Sequence, residues 1–245
     1  MLELPDALPQ GALCAASPAA AGPALQSALW WHGCPDAMQL DSTTGAVTRW
    51  NAQGSSPAAI PTEPNKNNGL ITEIDTLFGL QCRAQTHCGL VAEAITENAA
   101  TATLAIRFYT TPGDDARTLL TLNTGDNYLF LSGADGLLTA KDDQGRVSTD
   151  LPLPAQDAPH LAIVSLNGDH LALSLGDAHA TATAAIGILS GPADLFIGCR
   201  NQRPRLLKTL GAALILDVWL FPGRTLSHTD PATKALQRHH LWASE

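Results

Sequence analysis

Charge is scarce in this chain, and no chemistry-bearing motif is complete. Only 15% of its 245 residues are Asp, Glu, Lys or Arg, against 45% hydrophobic. That balance excludes a disordered chain and predicts a buried core. The formal charge of −9 has the wrong sign for phosphate backbones and anionic lipid, so nucleic acid and membrane insertion are set aside. Met1 to Ala24 lack a basic leader region, and Pro5, Pro9, Pro18 and Pro23 interrupt their apolar character. Neither a signal peptide nor a membrane span is expected from such a segment. The expected location is therefore cytoplasmic as synthesised, or on a virion-like particle released by lysis.

Other absences narrow the chemistry. Five cysteines, Cys14, Cys34, Cys82, Cys88 and Cys199, are an odd count and define no disulfide framework; buried free thiols are the expectation. Cys82, His87 and Cys88 are metal-ligand types, but a structural zinc needs four ligands and no second pair stands at usual spacing. His239 and His240 are adjacent on a helix and point in different directions. There is no Gly-x-Ser-x-Gly elbow, and no phosphate-cradling glycine loop opens a helix. No cofactor is called for, although Asp114, Asp115, Asp126, Asp142, Asp143 and Asp169 in turns are hard oxygen donors that would admit calcium. Asp is also an ordinary turn residue.

What is present is a long series of strands. Residues 1–25 read as an extended N-terminal arm, since repeated proline blocks helix; residues 26–245 read as one domain. Ala28-Leu29-Trp30-Trp31 and Val47-Thr48-Arg49-Trp50 are early strands, and 51–69, rich in Asn, Pro, Ser and Gly, reads as a long loop. From Gly89 to Phe221 short apolar runs alternate with turn clusters. Strands are predicted at 89–95, 101–111, 117–122, 127–132, 137–141, 146–150, 160–166, 170–175, 179–185, 193–198 and 210–221. Asn167-Gly168 is a two-residue hairpin signal. In 101–111, Leu104, Ile106 and Phe108 face one side, while Thr103, Ala105, Arg107 and Tyr109 face a partly wet side. Pro231 to Ala243 reads as a helix capped by Thr229 or Asp230, with Leu236 and Leu241 packing down. Many strands without intervening amphipathic helices predict an all-β sandwich or barrel.

Three segments carry a resemblance: Val47-Thr48-Arg49-Trp50-Asn51-Ala52-Gln53-Gly54, Leu195-Phe196-Ile197-Gly198, and Asp217-Val218-Trp219 followed by Leu226-Ser227. In order and spacing they resemble the laminin-G or concanavalin A-like lectin and glucanase superfamily, over about residues 26–242. The resemblance implies a two-sheet antiparallel jelly roll with a short C-terminal helix. It also implies glycan or protein binding through rim loops or a sheet face, sometimes with calcium.

Glu73-Ile74-Asp75 is the one stretch resembling a jelly-roll glucanase acid pair. Retaining hydrolysis needs two carboxyls about 5 Å apart, which alternate positions of a strand supply. Here Thr76-Leu77-Phe78-Gly79 follows, and the place of the second acid is apolar. Sugar recognition needs an aromatic face beside hydrogen-bonding groups. Trp30 and Trp31 must point to opposite faces, Tyr128 follows Asn127 at a strand start, and Arg200-Asn201-Gln202-Arg203 is a donor-rich basic loop. Arginine holds carboxylates bidentately. The expected ligand-binding residues are thus Trp31, Asn127, Tyr128, Arg200, Asn201 and Arg203, with no catalytic or metal residues. The first reading is a non-enzymatic recognition or adhesion module for a cell-surface or capsular glycan, such as a spike or decoration of a phage-like particle, joined to other subunits through the arm. The alternatives are a glycan-active hydrolase or lyase, and a structural protein–protein module.

Overall fold

The computed structural model describes residues 23–54, 57–111, 113–155 and 158–242; the proposed arm, up to residue 22, lies outside them. In chain order the strands are β1 (Leu29–His32), β2 (Met38–Leu40), β3 (Val47–Asn51), β4 (Ala58–Pro61), β5 (Leu70–Ile74) and β6 (Leu77–Cys82). Then come β7 (Leu90–Thr96), β8 (Thr101–Thr110), β9 (Arg117–Asn123), β10 (Tyr128–Ala134), β11 (Leu137–Asp142) and β12 (Ser148–Pro152). The series closes with β13 (His160–Asn167), β14 (His170–Leu175), β15 (Ala178–Thr183), β16 (Ala193–Ile197) and β17 (Ala213–Pro222), followed by helix α1 (Pro231–Trp242).

Among the described residues they form two antiparallel sheets. The first runs β15-β14-β13-β8-β17-β6-β5, with β1 also paired to β17; the second runs β12-β11-β10-β9-β16-β7-β4-β3-β2. Strand neighbours are far apart in sequence, β8 beside β17 and β9 beside β16, as a jelly roll requires. Alternation then decides the layers. Leu104, Ile106 and Phe108 of β8 face the second sheet's Leu120, Leu122 and Leu195 in the common core. Their neighbours Thr103, Ala105 and Arg107 face outward yet are buried. The wet face predicted for β8 is instead covered by α1 and the segment leading into it.

Strand β17 organises the first sheet. One of its edges pairs with β6 over Ala213–Ile215 and with β1 over Asp217–Leu220. The change of partner falls at a bulge between Ile215 and Asp217. A bulge adds one residue and resets alternation, so Ile215 and Val218 both face the core, while Trp219 and Phe221 face α1. Gly33 sits where β1 yields to β6: its N–H bonds the Leu216 carbonyl at 2.6 Å, and a Cβ there would collide with the carbonyl oxygens of Phe78 and Leu216. The chain can approach that closely only without a side chain.

Helix α1 starts as the sequence predicts. Pro231 is its first residue and the Asp230 carboxylate accepts the Ala232 N–H at 2.7 Å, a cap contributing about 1 kcal/mol. Ala232, Ala235 and Leu236 pack with Trp219, Phe221 and Leu226. Leu25 joins this cluster. Leu241, predicted to pack, is 64% exposed; His239 occupies the inward position. Two further differences lie in the first third. The predicted loop 51–69 contains β4, paired to β3 and β7, and β5 and β6 form a hairpin that no predicted strand anticipated.

Candidate functional site

The outer face of the first sheet holds a buried polar cluster. Because of the bulge, Asp217 lies opposite His32 on β1 and Arg107 on β8. Its carboxylate accepts Trp30 Nε1–H at 3.0 Å, meets His32 Nδ1 at 2.6 Å and Arg107 Nη1 at 3.3 Å, and lies 3.7 Å from His239 Nε2. Asp217 and Arg107 are each 1% exposed. Burial alone would raise the Asp217 pKa, but the charges and hydrogen bonds of His32 and His239 outweigh it and hold the carboxyl well below its usual range. Trp30 stacks on Trp219 at 5.8 Å, and His239 meets both rings edge-on. The cluster therefore clasps α1 to the sheet, and its donors converge on Asp217.

The outer face of the second sheet is different. Its β9–β12 half presents Lys141, Ser148 and Asp150 exposed, with Ser132 and Thr139 half-buried. Cross-strand register sets Phe130 beside Thr121 and Lys141, and Ser132 beside Thr118 and Thr139. The segment after β16 crosses this face and brings in Arg200. Its guanidinium carbon stands 3.8 Å above the Phe130 ring, and its Nε–H donates to Thr118 Oγ1 at 3.2 Å. Tyr128 lies alongside, its ring 6.0 Å from Phe130 and its hydroxyl donating to Asp143 at 2.6 Å. Burial and the Asp143 carboxylate raise the Tyr128 pKa, while Arg200 acts against them. Arg200 is thus held by its face and by Nε, as a stacked cation–π pair anchored by a hydrogen bond.

These contacts gather some of the expected ligand residues and separate others. Tyr128 and Arg200, 72 positions apart in sequence, meet on one surface. Asn201 shapes the adjoining loop by accepting the Arg203 N–H at 2.9 Å, and Arg203 is exposed. Asn127 is buried and turns away, donating to Asp142 and to the Ile188 carbonyl. Trp31 is 0% exposed in the core between the sheets; its neighbour Trp30 lies under α1. Phe130, absent from the expected set, is the ring that holds Arg200. Its signal was its place two residues after Tyr128, on the same strand face.

The remaining candidates have structural surroundings. Glu73 and Asp75 are exposed at the β5–β6 hairpin, where Asp75 and Thr76 form the turn with φ of 49° and 69°. Of the turn aspartates, Asp142 is fully buried and accepts Asn127 and the Val147 N–H, and Asp115 pairs with Arg117. Cys82 and Cys88 lie in the inter-sheet core, and Cys199 packs against Gly89 in a separate cluster with Val91, Phe196 and Leu210. Burial raises all three thiols, Cys199 to about 12. Among the described residues no group of three or more His, Cys, Asp or Glu is placed to hold a metal ion, and no helix is long and apolar enough to cross a membrane.

No family model matches the sequence, and no curated protein matches it by sequence. Solved structures do match in shape. The binding domain of botulinum neurotoxin serotype G shares 10% identity over 78% of this chain and 48% of its own, with a TM-score of 0.53. A mutant of Trypanosoma rangeli sialidase displaying trans-sialidase activity shares 12% identity over 87% of this chain and 33% of its own, with a TM-score of 0.57. Domains LG4-5 of the mouse laminin alpha1 chain align over 57% of this chain and 40% of their own, at 14% identity and a TM-score of 0.43. The chain spans about half the length of the toxin domain and a third of the sialidase. With two antiparallel sheets, β17 and β8 at the centre of one, and a short closing helix, this chain has the concanavalin A-like jelly-roll fold.

Proposed function

We propose that this chain is a carbohydrate-recognition module, and that the Arg200 face of the second sheet binds an anionic, hydroxyl-rich glycan. The observation that carries the reading is the fixed guanidinium. Stacking on Phe130 and the Nε bond to Thr118 reduce the entropy lost when the terminal nitrogens engage a carboxylate. A charge-assisted pair of this kind contributes about 1.5–3 kcal/mol, equivalent to roughly 10- to 150-fold in affinity. Around it, Ser132, Thr139, Ser148 and Lys141 supply donors and acceptors for a sugar's polar rim. The chain is acidic overall, yet 200–208 holds Arg200, Arg203, Arg205 and Lys208 and no acid. Electrostatic attraction is therefore local to this face.

The fold neighbours support the reading only through architecture: a toxin binding domain shares it, but so does a sialidase. Glu73 and Asp75 on a solvated hairpin turn favour recognition over hydrolysis. The finer role we propose is adhesion to a cell-surface or capsular glycan on a phage-like particle, with residues 1–22 as the docking segment. Deleting 1–22 should abolish particle attachment while glycan binding persists; attachment without the segment would remove that role.

The test is a glycan array spanning neutral, uronate-bearing, sialylated and sulfated sugars. The unaltered chain should retain acidic glycans, and Arg200→Ala with Arg203→Ala should release them while the far-ultraviolet circular dichroism and cooperative unfolding are kept. An array without any retained glycan, or unaltered retention by the double variant, contradicts the proposal.

A further inference from the structure

A concavity lies on the outer face of the first sheet, away from the sheet that carries Arg200. It has a volume of about 230 Å³ and runs between strands β13–β15 and the segment entering α1. Its floor includes Ile163, Ala172 and Leu226, and its polar lining includes Ser174 and Thr181. The outward positions of β14 and β15 carry small side chains there, Ala172, Ser174 and Thr181, and the first turn of α1 closes one side with Thr233.

Two imidazoles line this cavity. His179 comes from β15, paired opposite Ser174 across the ladder. His228 comes from the turn before α1, 49 residues later. Both are exposed, and their ring centroids lie 6.0 Å apart at an interplanar angle of 34°. Among the described residues neither ring has a hydrogen-bond partner, so no contact fixes its tautomer or rotation.

The backbones beneath them are fixed. His179 belongs to a six-pair antiparallel ladder. Around His228, Leu226 N–H donates to Thr103 Oγ1, Ser165 Oγ donates to the Leu226 carbonyl, and Thr233 Oγ1 donates to the Ser227 carbonyl. The Asp230 N–H closes the turn onto the same Ser227 carbonyl, and Arg224 holds the Asp230 carboxylate at 2.8 Å. Two rigid elements therefore present two free imidazoles to one another.

From this geometry we infer that His179 and His228 form a two-imidazole site for a borderline divalent transition metal, with Zn²⁺ as the reference ion. Zinc binds imidazole nitrogen at about 2.0–2.1 Å. A ring centroid lies roughly 1.1 Å behind that nitrogen, so two ligating rings stand about 5–6.5 Å apart as the N–Zn–N angle opens from tetrahedral to linear. The observed 6.0 Å falls within that range before any adjustment. Rotation about the Cβ–Cγ bond is soft for histidine and turns a nitrogen of each ring to a common point. Imidazole suits Zn²⁺, Ni²⁺ and Cu²⁺ and is a poor ligand for Ca²⁺ or Mg²⁺. With two protein ligands the other coordination positions stay open towards the cavity, where water or an oxygen donor of a bound molecule completes them.

The experiment is calorimetric titration of the intact chain with ZnCl₂, and separately with CaCl₂, in a non-chelating buffer at pH 7.5. One Zn²⁺ per chain should bind at this site, with no heat from Ca²⁺ there. His179→Gln with His228→Gln should weaken that binding at least tenfold without changing the far-ultraviolet circular dichroism. His170→Gln, removing an exposed histidine of the neighbouring strand, should leave it unchanged. Either single variant reads the same site if the double variant is compromised. Failure of the unaltered chain to bind Zn²⁺, or equal binding by the double variant, overturns the inference. Glycan binding at Arg200 is measured without metal and is unaffected by either result.

Discussion

At Asp217 one carboxylate collects Trp30, His32 and Arg107 with 1% exposure. Breaking such a group from one side strands a buried charge, which costs about 3–5 kcal/mol. Asp217→Asn should therefore lower stability by that amount in urea denaturation, because the buried Arg107 loses the carboxylate charge beside it. The pH dependence has two limbs of known sign. Burial, then Arg107 and the neighbouring histidines, push His240 down to about 4 from 6.5. The unfolded chain then binds more protons than the folded one between those values, so stability falls as pH drops from 6.5 to about 4. One proton of difference gives a slope of at most ~1.4 kcal/mol per pH unit. Asp217, depressed well below 3.8, contributes stability that is full above 3.8 and is lost only at lower pH. His240→Gln should flatten the first limb of a Tm-versus-pH curve and spare the second; an unchanged first limb would assign it to other groups.

Helix α1 shows how much of an element was legible and what was not. Its start followed from Asp230-Pro231, whose cap chemistry is local. Its buried face was harder. Ala232, Ala235, Leu236 and His239 recur at helical spacing, but the last is a histidine, and its inward turn is set by Trp30 and Trp219, which come from other strands. Hydrophobicity alone favoured Leu241, two positions past His239 and so on another side of the helix. Leu236→Ala should cost about 2–5 kcal/mol, whereas Leu241→Ala should stay within about 0.5 kcal/mol; chemical denaturation of both variants checks the face directly. The β5–β6 hairpin escaped for a related reason. Its turn is Asp75-Thr76, without the glycine that marks tight hairpins. Strand β4 hides among prolines because its ladders are only two pairs long on either side. Strands β7 to β16, short apolar runs set off by turn clusters, match the predicted spans to within one or two residues.

At the scale of the molecule, the two outer faces have different fates. The first sheet spends most of its outer face on α1, and both tryptophans of β1 are used internally, Trp31 between the sheets and Trp30 under the helix. Adjacent residues on a strand had to point oppositely, but the helix that covers the second ring could be located only once the chain was folded. The second sheet leaves β9–β12 open and sets Arg200 at their margin. Tyr128 and Arg200 could be named separately from the sequence, because an aromatic at a strand start and a basic loop are local features. Their meeting over Phe130 depends on β16 lying beside β9, which is a property of topology. Recognition therefore rests on Arg200 as a preorganised donor site for an acidic sugar. Its most direct test is calorimetric titration of the intact chain with a hexuronate oligosaccharide and with the matching neutral hexose oligosaccharide, for the unaltered protein and Arg200→Ala in parallel. At least a tenfold preference for the hexuronate is expected, and it should disappear in Arg200→Ala with the fold retained by circular dichroism; equal affinity for both sugars, or a preference that survives the substitution, would contradict Arg200 as the recognising group.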